Sequence, residues 1–97
     1  MASAEPEERA SRVHKRSKPY RSAARSLGLR VRGLRQARGW TLQEAAERMD
    51  LDWKHLQKIE AGTLNVTLVT LVRLAEGFGE PLAALFIAPT GRAAKAR

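Results

Sequence analysis

Cysteine is absent from this 97-residue chain, so neither a disulfide framework nor a thiolate metal site is available. Histidine is nearly absent: His14 and His55 are the only two, too few for a histidine-built metal cluster. No apolar run is long enough to span a bilayer. The first residues, MASAEPEERAS, are acidic and small and contain no hydrophobic signal region. These absences lead us to expect a cytoplasmic protein. An enzyme is excluded on inventory. No paired histidine occurs, no glycine-rich phosphate loop runs into Lys-Ser or Lys-Thr, and the carboxylates are too scattered for an acid–base pair. No cofactor is expected either.

Acidic residues are the minority, with ten Asp and Glu against eighteen Lys and Arg, a net charge of +8. A small, strongly basic chain usually meets an anionic polymer or surface. The excess is unevenly placed. Residues 1–26 hold seven Lys or Arg against three Glu, residues 27–87 hold eight against seven, and the tail adds Arg92, Lys95 and Arg97. Most of the excess therefore lies outside residues 27–87.

Three segments follow from this pattern. Residues 1–26 carry few large apolar side chains, with Val13 and Tyr20 standing alone, and read as a disordered basic arm. Residues 88–97 read as a flexible basic tail in the same way. Residues 27–87 hold a compact all-α domain of five helices. Leu27, Val31 and Leu34 mark the first, ending near Gly39, although Gly28 and Gly33 each weaken it by about 1 kcal/mol relative to Ala. Thr41 and Glu44 form a capping box at the second, whose apolar stripe is Ala45, Ala46 and Met49. Asp50 stands where that helix must stop, a position calling for left-handed backbone. Leu51 lies in the turn. Asp52 caps the third helix, Leu56 and Ile59 form its apolar stripe, and Gly62 ends it. Thr67 caps the fourth, with Leu68, Leu71, Ala75 and Phe78 on one face and Gly77 and Gly79 at its end. Pro81 starts a short fifth helix carrying Leu82, Leu85 and Phe86.

The motifs LGLRVRGLRQARGW, TLQEAAERM, HLQKIEAG and TLVTLVRLAEGFGEPLAALF, in that order, resemble the phage-repressor-like (Xre-type) helix-turn-helix family over residues 27–86. The resemblance implies a five-helix domain whose third helix is the recognition helix, and a transcriptional regulator binding double-stranded DNA as a homodimer. It implies core roles for Ala46, Leu51, Leu56 and Ile59. It implies DNA-facing positions at Trp53, Lys54, Gln57, Lys58 and Ala61, and an Arg35–Glu60 pair tying the first helix to the third. It also implies that the loop with Thr63 and Asn65 approaches the phosphate backbone. Three positions depart from the family pattern. Leu42 stands where a phosphate-touching glutamine is usual; Gln43 beside it points elsewhere on the helix and is kept as a candidate DNA contact. Asp50 replaces a turn glycine. Asp52 places an acid at the front of the recognition helix.

Several residues carry two readings. Lys54 and Lys58, four apart on one helix face, are a solvated surface or a phosphate and base contact. Gln57 is an ordinary exposed glutamine or pairs with an adenine edge. Trp53 meets a thymine methyl or sugar, or folds back on the second helix. His55 is structural. Arg30, Arg32 and Arg38 read as a solvated face of the first helix, although an arginine near the start of a helix-turn-helix can reach phosphate. The arm, with its segment HKRSKPYRSAARS, keeps the protein soluble or follows the DNA backbone and minor groove. Val69, Val72, Phe86 and Ile87 leave an apolar surface suited to a dimer contact. The expected function is a sequence-specific DNA-binding regulator, a repressor, inserting its third helix into the major groove and associated with the nucleoid. The rival is a protein-interaction module on the same fold, antitoxin-like or bridging, with a protein partner.

Overall fold

The structure, a computed structural model of the chain, describes residues 17–87. The arm over 1–16 and the tail over 88–97 lie outside the described residues. Four α-helices, α1 (Lys18–Ala37), α2 (Leu42–Met49), α3 (Trp53–Ala61) and α4 (Leu68–Phe78), are followed by a 3-10 helix (Leu82–Phe86). No strand occurs among the described residues. The all-α expectation holds, with the last of the five helices a 3-10 turn rather than an α-helix. Its backbone closes through Ala84 N–H to Pro81 O at 2.9 Å. Arg30 Nε donates to Ala84 O at 2.8 Å, pinning this short segment to α1.

Helix α1 starts at Lys18, well before the expected Leu27. Ser17 caps it, its hydroxyl accepting from Tyr20 N–H at 3.1 Å, and Pro19 sits in the first turn where no N–H is needed. The missing large apolar residues are not required here. Tyr20 and Ala24 are half-buried, and the backbone of Ala24 and Arg25 passes directly over Gly62, where an added Cβ would lie 3.1 Å from Arg25 Cα. Close backbone approach replaces side-chain burial.

All four α-helices end alike. Gly39, Asp50, Gly62 and Gly79 take left-handed backbone, with φ of 70°, 57°, 75° and 72°. The next N–H reaches back to the carbonyl five residues earlier: Trp40 to Arg35, Leu51 to Ala46, Thr63 to Lys58, Glu80 to Ala75. Asp50 is the one non-glycine residue with positive φ among the described residues. The starts are equally regular. Thr41 and Glu44 form the complete capping box, Asp52 accepts from Lys54 N–H at 3.4 Å, and Thr67 accepts from Thr70 N–H at 3.2 Å.

The core sits where the helices converge. Val31 of α1, Leu56 and Ile59 of α3, Leu74 of α4 and Leu85 of the 3-10 helix are almost fully buried. Each such side chain contributes roughly 1.5–3 kcal/mol of burial free energy. Ala45, Ala46 and Met49 of α2 close the layer. Two expectations for α4 change. Its buried face is Thr70, Leu74, Ala75 and Phe78, while Leu71 is half-buried and Leu68, in the first turn and ahead of the core layer, is 65 % exposed. Gly77 does not end the helix but lies inside it; the helix stops at the left-handed Gly79, and the missing Cβ at Gly77 leaves room for the Met49 side chain. Phe86 is also turned outward.

Two arginines expected on a solvated face are engaged instead. Arg38 donates to Leu34 O at 3.0 Å and to Phe78 O at 2.8 Å, and pairs with Glu80 at 3.2 Å. Arg30 is held by the 3-10 helix, as above. Arg38 meets the Phe78 carbonyl that the end of α4 leaves without a helical partner, whereas Arg30 reaches an Ala84 carbonyl that also accepts from Ile87 N–H. Trp40 and Phe78 stack with ring centres 5.9 Å apart, and the Arg48 guanidinium lies 4.3 Å over the Trp40 ring. Only Arg32 of the three is free on the surface.

Candidate nucleic-acid interface

The candidate surface is the outer side of α3. Leu56 and Ile59 turn inward, so the helical period forces Trp53, Lys54, Gln57, Lys58 and Ala61 outward, and all five are exposed. Gln43 of α2 and Thr63 and Asn65 of the α3–α4 loop are exposed as well. The eight candidate residues are thus all exposed, but they do not form one cluster. Gln43 and Trp53 line a hollow between α2 and α3 together with Glu44, Glu47 and Asp52. Gln57 and Ala61 line a different hollow, with Arg32, Leu42 and Glu60. The first is flanked by acids; the second is edged by Arg32.

Trp53 folds back on α2 only in part. It is 36 % exposed, with one side against the α2 hollow and the Lys54 ammonium 5.9 Å from its ring centre. Leu42, where the family pattern has a glutamine, is half-buried and packs on the core. Asp52 is occupied at the start of α3 by its cap bond. Thr63 Oγ1 donates to Lys58 O at 3.3 Å, fixing the loop as it leaves α3. His55 is half-buried on the flank of α3. Among the described residues no group of three or more His, Asp or Glu is placed to hold a metal ion.

The orientation of α3 is set from behind. Arg35 Nε donates to Glu60 Oε2 at 2.7 Å and Nη2 to Oε1 at 3.0 Å, while Nη1 donates to Trp40 O at 2.9 Å. This two-pronged pair is largely buried, with side-chain exposures of 13 % and 7 %. The guanidinium is held above its ordinary range, chiefly by the hydrogen bonds to Glu60, with that carboxylate's charge reinforcing and burial opposing. Beside the pair, a Cβ at Gly28 would lie 2.5 Å from Glu60 O and 2.6 Å from Ile59 O, so α1 and α3 meet backbone to backbone. One surface residue escaped the sequence reading. The sequence leaves Arg32 among arginines that are solvated or reach phosphate and does not tie it to α3, yet it adjoins Gln57 and Ala61. Its signal is the three-residue step from Arg35, which places Arg32 one turn along on the neighbouring part of the same face.

Comparison with known proteins agrees with this architecture. The helix-turn-helix domain family matches residues 26–85, and the chain belongs to that family. No curated protein sequence matches it significantly. Among solved structures, it is similar to the restriction-modification controller protein C.AhdI from Aeromonas hydrophila. That match has 31% identity and a TM-score of 0.65, covering 67% of this chain and 98% of that one. It is similar to the clp gene regulator ClgR from Corynebacterium glutamicum, with 27% identity and a TM-score of 0.65, covering 76% and 79%. An HTH_3 family transcriptional regulator from Vibrio cholerae matches with 25% identity and a TM-score of 0.67, over 69% of this chain and 38% of that one.

Proposed function

We propose that the protein is a sequence-specific DNA-binding regulator of transcription that inserts α3 into the major groove. The observation that carries this reading is the outward face of α3. Lys54, Gln57, Lys58 and Ala61 are exposed on a helix whose tilt is clamped from behind by the buried Arg35–Glu60 pair. Lysines supply phosphate contacts, Gln57 has the amide geometry to pair with an adenine edge, and Ala61 leaves room for close approach. Thr63 and Asn65, at the α3–α4 loop, would meet the phosphates alongside. Gln43 stands further out, on the acid-flanked side, and would reach a phosphate only at the edge of the contact. The likeness to C.AhdI, ClgR and the Vibrio regulator supports the regulatory role. A repressor working as a homodimer is the form we propose.

A single observation favours the rival, a protein-interaction module. Glu44, Glu47 and Asp52 surround the half-open Trp53, a surface better suited to a protein than to a polyanion. The two readings separate in one experiment. Lys54→Ala with Lys58→Ala should weaken duplex binding and lower the dependence of log affinity on log salt by about 1–2, since each lost phosphate contact removes about 0.9. Helicity should be unchanged, because both side chains are exposed. Fluorescence anisotropy over a salt series, beside circular dichroism, gives both answers. Unchanged affinity and slope would remove this face from DNA.

A further inference from the structure

Residues 9–43 contain no Asp or Glu but eleven of the eighteen Lys and Arg. Seven of those eleven fall on or just after α1, and the structure sorts them. Arg30, Arg35 and Arg38 are consumed by internal bonds. Lys18, Arg21, Arg25 and Arg32 are exposed, and the only ion pairs among the described residues involve Arg35 and Arg38. Their spacings of three, four and seven residues confine them to a sector of about 60° on the helix surface. At 1.5 Å per residue, Lys18 to Arg32 spans about 21 Å, close to six base-pair steps of duplex axis.

This cationic stripe has a defined relation to α3. At one end, Arg32 adjoins Gln57 and Ala61. In the middle, the Arg25 backbone lies against Gly62, the residue that ends α3. Beyond it, Lys18 and Arg21 continue the stripe on the outer side of α1, while Tyr20, Ala23 and Ala24, turned away from the four cations, line a groove with Leu64, Asn65 and Val66 of the α3–α4 loop. The stripe therefore starts beside the proposed recognition face and continues past the loop. Three of the four net charges of residues 1–26 reside here as well. Residues 1–16 carry four Lys or Arg against three Glu, while Lys18, Arg21 and Arg25 are unopposed within their stretch.

We infer that the α1 stripe is a rigid phosphate-binding surface that lengthens the DNA contact beyond the site read by α3. The inference rests on the DNA-binding reading of α3 and adds to it a sequence-independent track on a preformed helix. A helix ordered before binding loses no backbone entropy on contact, unlike a flexible basic arm. The phosphates it meets contribute affinity and register but no base discrimination.

The test uses the full chain and a labelled random-sequence duplex longer than the domain's own reach. Lys18→Gln, Arg21→Gln and Arg25→Gln together should lower the salt slope by about 2–3 and weaken binding at least tenfold at low salt. Each single substitution should lower the slope by about 1, which keeps the test decisive if the triple variant folds poorly. Neutralising Arg9, Arg12, Lys15 and Arg16 instead should change the slope less than the α1 triple does. A wild-type slope in the α1 variants, with the Lys54 and Lys58 variant still impaired, would overturn the stripe and leave the α3 reading standing. A larger effect from residues 9–16 than from α1 would also overturn it. Absence of any salt-dependent duplex binding by the unsubstituted protein would bring down the α3 reading and this inference together.

Discussion

Glu60 shows how much a single side chain holds in a domain this small. Its carboxylate takes two hydrogen bonds from Arg35 in a largely buried setting. Glu60→Gln leaves the guanidinium without a counter-charge, and loss of one partner from such a pair costs about 3–5 kcal/mol. Urea melts should show that loss, and a change below about 1 kcal/mol would mean the pair behaves as a surface contact. The pH dependence follows from the sign of the shift. Arg35 is raised, so its contribution is fully present below its unfolded value and is lost only as pH rises through the folded one. That lies far into alkali. The stability difference between wild type and Glu60→Gln should therefore stay constant from about pH 7 to about pH 10, through the range where lysines begin to titrate.

Two glycines in α1 separate intrinsic helix preference from packing. Gly→Ala inside a helix normally adds up to about 1 kcal/mol. Gly33 has nothing within 4 Å of an added Cβ and is exposed, so Gly33→Ala should raise the thermal midpoint. Gly28 faces the carbonyls of Ile59 and Glu60, so Gly28→Ala should instead force α1 away from α3 and lower the midpoint by several degrees. Equal effects at the two sites would mean that the α1–α3 approach is looser than described. Both glycines look identical in sequence. Periodicity and caps announced α2, α3 and α4 to within a residue or two, because Thr41, Asp52 and Thr67 act through bonds to residues two or three positions away. The start of α1 carries a local cap, Ser17 with Pro19 in the first turn, but the stretch has few large apolar side chains because its packing comes from Gly62 and the α3–α4 loop, remote in the chain.

Across the whole molecule, the described surface leaves Leu68, Val69 and Val72 of α4 and Phe86 and Ile87 exposed, from 38 % at Val72 to 65 % at Leu68. If this apolar side joins two copies, Val69→Lys with Ile87→Lys should shift sedimentation from dimer to monomer without loss of helicity. A dimer that survived both changes would place the contact elsewhere. The helical class, the caps of α2, α3 and α4, the buried stripe of α3 and its outward Lys54, Gln57 and Lys58 were all legible in the amino-acid order, because each depends on neighbours within one or two turns. The order of residues also carried the Arg35–Glu60 pair, through its likeness to a known family. Packing alone sorted the other arginines on or just after α1 into those that meet the Ala84 and Phe78 carbonyls and those that face solvent. It alone set Gln43 and Gln57 in different hollows and turned Leu68 out of the core. These outcomes depend on which carbonyls and side chains arrive from distant helices, and a local pattern carries no information about that arrival.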